Sequence, residues 1–382
     1  MLVERRPLLT LFATGHIPPV ESAALYYIEQ RDWSLSEDIG TRFDYVPTLT
    51  DIIETPFGRV ALILLPHLDT DLYTNPQSII DSSVEALGLA HHIGAKVVSL
   101  TGMIPSATNL GQDVATVTPE NLPPVSTGHA TTTATVVMSI EKTLRLSRRN
   151  LANETVAILG LGSVGTATLR LMLEILPHPS ELILCDVFEK QTHLEAIRNE
   201  IVAAGYQGSV QLATARADAP AEAYNASLIV GATNVPNVLD VNRLKPGTLL
   251  IDDSSPHCFK VDDAIQRLET QNDILFTEGG VLKLPQAANM ITYVPKWLER
   301  VFFRSLSGYN TNNITGCILS SLLSAQFPEL EPTTRPVNGE ISFTHYKQLV
   351  SFEIEAADLH CETYTIPTVS IEKFNEKMLN RM

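Results

Sequence analysis

Apolar and polar positions divide the chain into short runs with two different rhythms. RVALILLP (59–66) and AKVVSL (95–100) are apolar almost throughout, and each ends at a breaker: Pro66 for the first, the small-residue loop TGMIPSATNLG for the second. Runs of that length and character predict buried strands. LLTLFAT (8–14) predicts a further short strand, closed by Gly15 and the Pro18–Pro19 pair. Between the strands, Ile80, Val84, Leu87 and Ile93 recur near helical spacing, which predicts a helix from Pro76 to His92. Residues 113–128 are rich in Pro, Thr and Val and read as a connection, and TTTATVVMSIEKTLRL then predicts a helix over about 130–147.

The middle of the chain is denser in strand signals. TVAILGL (155–161), ELILCDV (181–187), SVQLAT (209–214), ASLIVGAT (226–233), TLLIDDS (248–254) and DILFTEGG (273–280) follow one another, several of them separated by helical stretches. That rhythm predicts an α/β chain with a Rossmann-type doubly wound parallel sheet, accompanied by an N-terminal α/β substrate-binding domain. After 285 the pattern turns helical and less regular. The expected division is 1–144 for the substrate-binding part and 145–285 for the dinucleotide-binding part. Residues 286–382 are expected to form a helical segment that completes the substrate domain.

Composition narrows the possible partners. Over 382 residues the formal charge is −16, which disfavours general binding to nucleic acid or to an anionic membrane surface. No apolar run is long enough to span a bilayer, so no stable membrane insertion is expected. The four cysteines, 185, 258, 317 and 361, form no close pair and no CxxC, so neither a disulfide framework nor a metal site is expected. The reading is a soluble, reduced, cytoplasmic protein.

Gly160, Gly162 and Gly165 spell G-L-G-S-V-G after a predicted strand and before an amphipathic run, with Ser163 and Val164 opening the helix. In this context the motif predicts a dinucleotide site. The first glycine permits the turn, the second lets backbone approach a pyrophosphate, and the third lets helix and strand pack closely. The helix N-terminus supplies N–H groups to the phosphates. Asp186 ends the next strand, where a carboxylate bonds the ribose hydroxyls of NADH and repels the 2′-phosphate of NADPH; the alternative is an N-cap for the following helix. Ala232 and Thr233 end the fourth strand and are expected beside the cofactor ribose. Gly279 and Gly280 end a later strand and are expected to admit the nicotinamide, although an ordinary turn explains either pair equally well.

Cys317 follows a polar stretch containing Gly308, Asn310, Asn312 and Asn313 and stands two residues after Thr315, a good N-cap. In the first turn of a helix the dipole stabilises thiolate, which suits a nucleophile that holds an acyl group as a thioester. Cys258, after His257, is the second candidate. Cys185 reads as core, and Cys361 lies in an irregular tail. His129 and His257 are candidate proton donors for a reaction without covalent catalysis. Lys142, Arg145 and Arg149 share one helical face, with Arg148 beside them, and are a candidate docking patch for an acidic carrier; a solvated helix end explains them as well.

The order of LTGMIPS (100–106), STGHATTTA (126–134), VAILGLGSVGTA (156–167), LFTEGGV (275–281) and GCILSSLL with the following stretch (316–331) resembles that of the aldehyde-forming long-chain acyl-[acyl-carrier-protein] reductases. The resemblance covers about 100–331 and rests on the order of the motifs. It implies NAD(P)H-dependent reduction of an acyl thioester, donated by an acyl carrier protein or by acyl-CoA, to an aldehyde through an acyl-enzyme on Cys317. It also implies that Thr101, Gly102, Thr127 and Gly128 line the acyl cleft. Asp186 departs from the basic residue of the NADPH-preferring members. The alternative is a nicotinamide-dependent oxidoreductase acting on a small carbonyl, imine or hydroxy acid.

Overall fold

The computed structural model describes all residues except 31–32, 34–37, 298–309 and 381–382. The chain forms two compact units. One comprises 1–131, 283–336 and 348–354, and the other comprises 132–282, 337–347 and 355–382.

The first unit is built on a mixed sheet. Its strands, numbered in chain order, are β1 (Leu2–Glu4), β2 (Ser22–Ile28), β3 (Thr48–Thr55), β4 (Gly58–Leu68), β5 (Val97–Leu100), β6 (Val125–Ser126) and β14 (Asn289–Tyr293). They lie in the order β1-β14-β3-β4-β2-β5-β6. β3 pairs antiparallel with β4 and with β14, and the remaining pairs are parallel. The predicted strands at 59–66 and 95–100 are β4 and β5, and the predicted helix is α3 (Pro76–His92). α3 opens on Asn75, whose side chain accepts the Ser78 N–H, with Pro76 in its first turn. Residues Ala23, Leu25, Ala61, Ile63, Leu65, Val98 and Leu100 pack with Ile79, Ala86 and Leu87 of α3 on one face. On the other face, Ser99 Oγ accepts the Ser321 N–H at 3.1 Å, which seats the helix Gly316–Gln326 there.

Residues 8–14 depart from expectation: Leu8–Ala13 is a helix, α1. Leu8 and Leu11 are buried, while Leu9 and Thr10 are exposed. A one-sided i, i+3 stripe is helical burial, and a run this short does not distinguish it from a strand. Residues 113–128 also hold more structure than a connection, with a helix at Gln112–Val117 and strand β6.

The second unit carries the doubly wound sheet. β7 (Thr155–Leu159), β8 (Glu181–Val187), β9 (Ser209–Ala215), β10 (Leu228–Gly231), β11 (Leu249–Asp252) and β12 (Leu275–Glu278) are parallel throughout. Their order, β12-β11-β10-β7-β8-β9, is the Rossmann order. β7, β10 and β11 are almost wholly buried, and their continuous apolar runs are why this sheet was the easier one to predict. The helices are α6 (His129–Leu146), which begins three residues ahead of this unit, α7 (Ser163–Ile175), α8 (Gln191–Ala203) and α9 (Val261–Gln271).

The tail is divided differently from the expected 286–382 segment. Residues 337–347 and 355–382 join the second unit. The reason is pairing and burial. His360 N–H donates to Thr277 Oγ1 on β12, Asn375 Nδ2 donates to Leu146 O, and Phe374 is fully buried. Among the described residues no helix is long and apolar enough to cross a membrane.

Candidate functional site

The glycine turn follows from steric demands that can be stated atom by atom. Gly160 has φ +90°, and a Cβ there would lie 2.5 Å from Ala232 O. A Cβ on Gly165 would overlap Gly160 O. These two glycines are therefore required by the fold. Gly162 differs: it is exposed, and a Cβ there would meet nothing within 4 Å. Its freedom is the kind a ligand's phosphate needs, at the start of α7 with Ser163 and Val164 in the first turn.

Asp186 stands at the end of β8, as the motif requires. Its carboxylate accepts the Leu161 N–H at 2.8 Å and the Val187 N–H at 2.8 Å, and it pairs with Lys190 Nζ at 3.2 Å. It thus braces the glycine turn and does not cap α8, whose N-cap is Lys190. A shallow cleft brings Gly160, Asp186 and Thr233 together with Arg216. Thr233 N–H donates to Ser254 Oγ at 3.1 Å, which fixes the loop after β10. Arg216, which directly follows β9, was not singled out from sequence; its place after a strand end is the local signal it carries.

Gly279 and Gly280 serve close packing. A Cβ on Gly280 would overlap Asp253 Oδ1, and one on Gly279 would press on Ile251 and Val136. Gly279 O accepts the Ser139 hydroxyl at 3.0 Å.

Beside these glycines lies a cluster that sequence spacing does not announce. His257 Nδ1 is 3.0 Å from Asp252 Oδ2, and its Nε2 is 3.6 Å from both Cys361 Sγ and Glu278 Oε1. Burial works against a charged His257, yet its hydrogen bonds to Asp252, Cys361 and Glu278 together raise its pKa above the ordinary value. Burial likewise opposes ionisation of Glu278, but the hydrogen bond with His257 and the charge of His360 hold its pKa below normal. Desolvation, and then the charges of Asp252 and Glu278, push Asp253 well up. Cys258 is fully buried, and burial raises its thiol pKa, as it does for Cys185. Neither is placed as a nucleophile.

In the first unit, Cys317 is the second residue of the helix Gly316–Gln326, whose N-cap is Thr315. It is half-buried, and its Sγ lies 3.3 Å from Thr315 Oγ1. Gly128 has φ +72°, and a Cβ there would lie 2.7 Å from Cys317 Cα. The two stretches singled out from sequence therefore meet backbone to backbone. Thr127 N–H donates to Thr333 O at 2.8 Å, so Thr127 is held by the segment after the cysteine helix. His129, the next turn on, is half-buried, and burial lowers its pKa to about 4. Thr101 and Gly102 are committed elsewhere. Thr101 Oγ1 donates to Leu25 O at 2.7 Å, and a Cβ on Gly102 would lie 2.7 Å from Tyr27 Oη. Gly308 lies outside the described residues.

The four cations near the end of α6 do not form one surface. Lys142 is buried, with Nζ donating to Ala356 O and Asp358 Oδ1, both at 2.8 Å. Arg149 is tied to Glu154, Gly247 O and Ser227 O. Arg145 and Arg148 remain exposed. Helical spacing placed the residues on a face but did not show that the tail covers part of it.

No known family and no curated protein matches the chain. Solved structures give distant likenesses. L-tryptophan dehydrogenase of Nostoc punctiforme is 13% identical, with 95% of this chain and 89% of that one covered and a TM-score of 0.39. Shikimate 5-dehydrogenase of Listeria monocytogenes, solved with shikimate and NAD, is 12% identical over 69% of this chain and 87% of that one, with a TM-score of 0.30. Δ1-pyrroline-2-carboxylate reductase of Thermococcus litoralis, solved with NADH and L-proline, is 13% identical with a TM-score of 0.25; the match covers 32% of this chain and spans about a third of that one (36%). Scores this low carry no argument about activity.

Proposed function

We propose that this chain is a nicotinamide-dependent oxidoreductase that reduces an acyl thioester, carried on an acyl carrier protein or on CoA, to an aldehyde through Cys317. The observation that carries the cofactor half is Gly162, the one glycine of the turn whose missing side chain leaves open space, in a parallel sheet of Rossmann order. The braced carboxylate of Asp186 favours NADH, because the 2′-phosphate of NADPH would add negative charge beside it. Lys190 and Arg216 soften that preference without removing the carboxylate.

The thioester half is supported by the helix start at Cys317 and by the resemblance in motif order. The Cys317 thiolate attacks the acyl carbonyl, forms the new carbon–sulfur bond and expels the pantetheine thiolate, which takes up a proton. The Gly160–Gly165 turn and Asp186 would hold NAD(P)H, which would supply the hydride that takes the acyl group to the aldehyde level and would itself be oxidised. The tetrahedral adduct then collapses, releasing aldehyde and restoring the thiolate. Backbone N–H groups of the same helix start are suited to the developing oxyanion. Arg145 and Arg148 are the cations left to meet an acidic carrier.

Intact-mass measurement after incubation with acyl-CoA and acyl carrier protein tests this reading. The expected result is one acyl adduct that is lost in Cys317→Ala, together with NADH-dependent aldehyde release. Hydride transfer with no adduct would replace it with reduction of a small carbonyl, imine or hydroxy acid without covalent catalysis.

A further inference from the structure

We propose that His257, Glu278 and Cys361 bind a divalent transition metal of the zinc class, with Asp252 orienting the histidine. The three donor atoms, Nε2, a carboxylate oxygen and Sγ, lie within 4.8 Å of one another. Two edges of that triangle are measured: Nε2 to Sγ and Nε2 to Oε1, both 3.6 Å. Around a tetrahedral zinc, bond lengths of about 2.3 Å to sulfur and 2.0–2.1 Å to nitrogen or oxygen give edges of about 3.3–3.6 Å. The measured spacings need little adjustment to admit an ion.

The surroundings are those of a ligand set and not of an isolated thiol. The second nitrogen of His257, Nδ1, is bonded to Asp252 Oδ2 at 3.0 Å, and Asp252 is itself held by the N–H groups of Ser254 and Cys258. A carboxylate–histidine pair of this kind fixes the tautomer that leaves Nε2 free for a metal. The remaining oxygen of Glu278 lies 3.6 Å from His360 Nε2, and Glu278 Oε1 also accepts the Glu362 N–H at 2.5 Å. Among the described residues, the partners of Asp252 and Glu278 are histidines, backbone N–H groups and, for Asp252, the Cys258 thiol, with no lysine or arginine. Two carboxylates and a thiol gathered around one imidazole are a negative set that a dication balances. Imidazole, thiolate and carboxylate together suit zinc better than magnesium or calcium. Three protein ligands leave a fourth position open for water or for an oxygen of a bound molecule. The site stands at the carboxyl ends of β11 and β12, where doubly wound sheets place their ligands.

The probes are zinc and Co(II), added to the full-length protein after treatment with a chelator. Uptake of one equivalent is expected, with a thiolate-to-Co(II) charge-transfer band and the intense visible bands of tetrahedral cobalt. The band is expected to persist in Cys317→Ser and to vanish in Cys361→Ser. Asp252→Asn is expected to weaken zinc binding by about 10–100-fold. Should Cys361→Ser fail to fold, the wild-type and Cys317→Ser spectra decide. No uptake by the folded wild type, a Co(II) spectrum without the thiolate band, or a band that disappears with Cys317→Ser would overturn the proposal. None of these readouts depends on turnover, so the metal site and the proposed reaction can fail separately.

Discussion

Two cysteines, one in each unit, sit in opposite kinds of environment. Cys317 is half-buried, with a local polar neighbour and helix, Thr315 two residues before it and its own helix beyond it, while Gly128, remote in sequence, presses against its backbone. Cys361 is buried, and its imidazole partner is 104 residues away in sequence. The first thiol is set at the start of a helix, and the second among side chains gathered from separate stretches of the second unit. A helix-start setting can therefore be read from sequence, because its cause lies within one turn, and a cluster assembled by long-range folding cannot.

Replacing Cys317 by Ala tests the local side most severely. Aldehyde formation is expected to fall by about 10⁴–10⁶-fold, as for loss of a nucleophile elsewhere, with the fold retained; an adduct that survives would shift the nucleophile to Cys361 and erase the contrast. On the long-range side, Arg149→Ala strips the buried Glu154 of its cation. Because Glu154 is almost fully buried, a loss of about 3–5 kcal/mol in unfolding free energy is expected by denaturant titration. By comparison, Arg145→Glu is expected to change stability by no more than about 0.5 kcal/mol.

Gly162→Ala sharpens the comparison at the cofactor turn. It is expected to melt like the wild type but to bind NADH at least about tenfold more weakly, a cost of about 1.4 kcal/mol measured by calorimetry. A variant that binds normally would mean that no phosphate approaches that backbone. Acidification bears on a histidine in each of the two units. Burial lowers His129 and His345 to about 4 in the folded chain. Since the unfolded histidines take up protons first, stability is expected to fall as pH drops from about 6.5 to about 4 and to level off below. Chemical-denaturation midpoints across that window check it, and His345→Gln is expected to flatten part of the slope.

The parallel sheet was legible because β7, β8, β10, β11 and β12 are apolar runs buried on both faces. The glycine turn was legible because its geometry is written in adjacent residues. The mixed sheet was only partly so. β1 and β14 are short edge and near-edge strands with exposed positions, and α1 was mistaken for a strand because six residues cannot establish a period. Lys142 and Arg149 were misjudged for a related reason: their partners, Asp358 and Gly247, arrive from remote stretches of the chain. The group around His257 was invisible for the same cause.

The interleaving of the two units constrains how the chain can be handled and made. The first unit gathers residues up to 354, and the second needs residues 355–382 to supply Phe374 and the short strand His360–Cys361. Neither can be excised as one continuous piece, so a limited digest that cuts once in 132–282 leaves no intact half. During synthesis the amino-terminal sheet emerges early but lacks β14 and the cysteine helix until most of the polypeptide has been translated. At about 5–20 residues per second, that interval is on the order of ten seconds or more, a period in which unpaired strand edges stay open to chaperones.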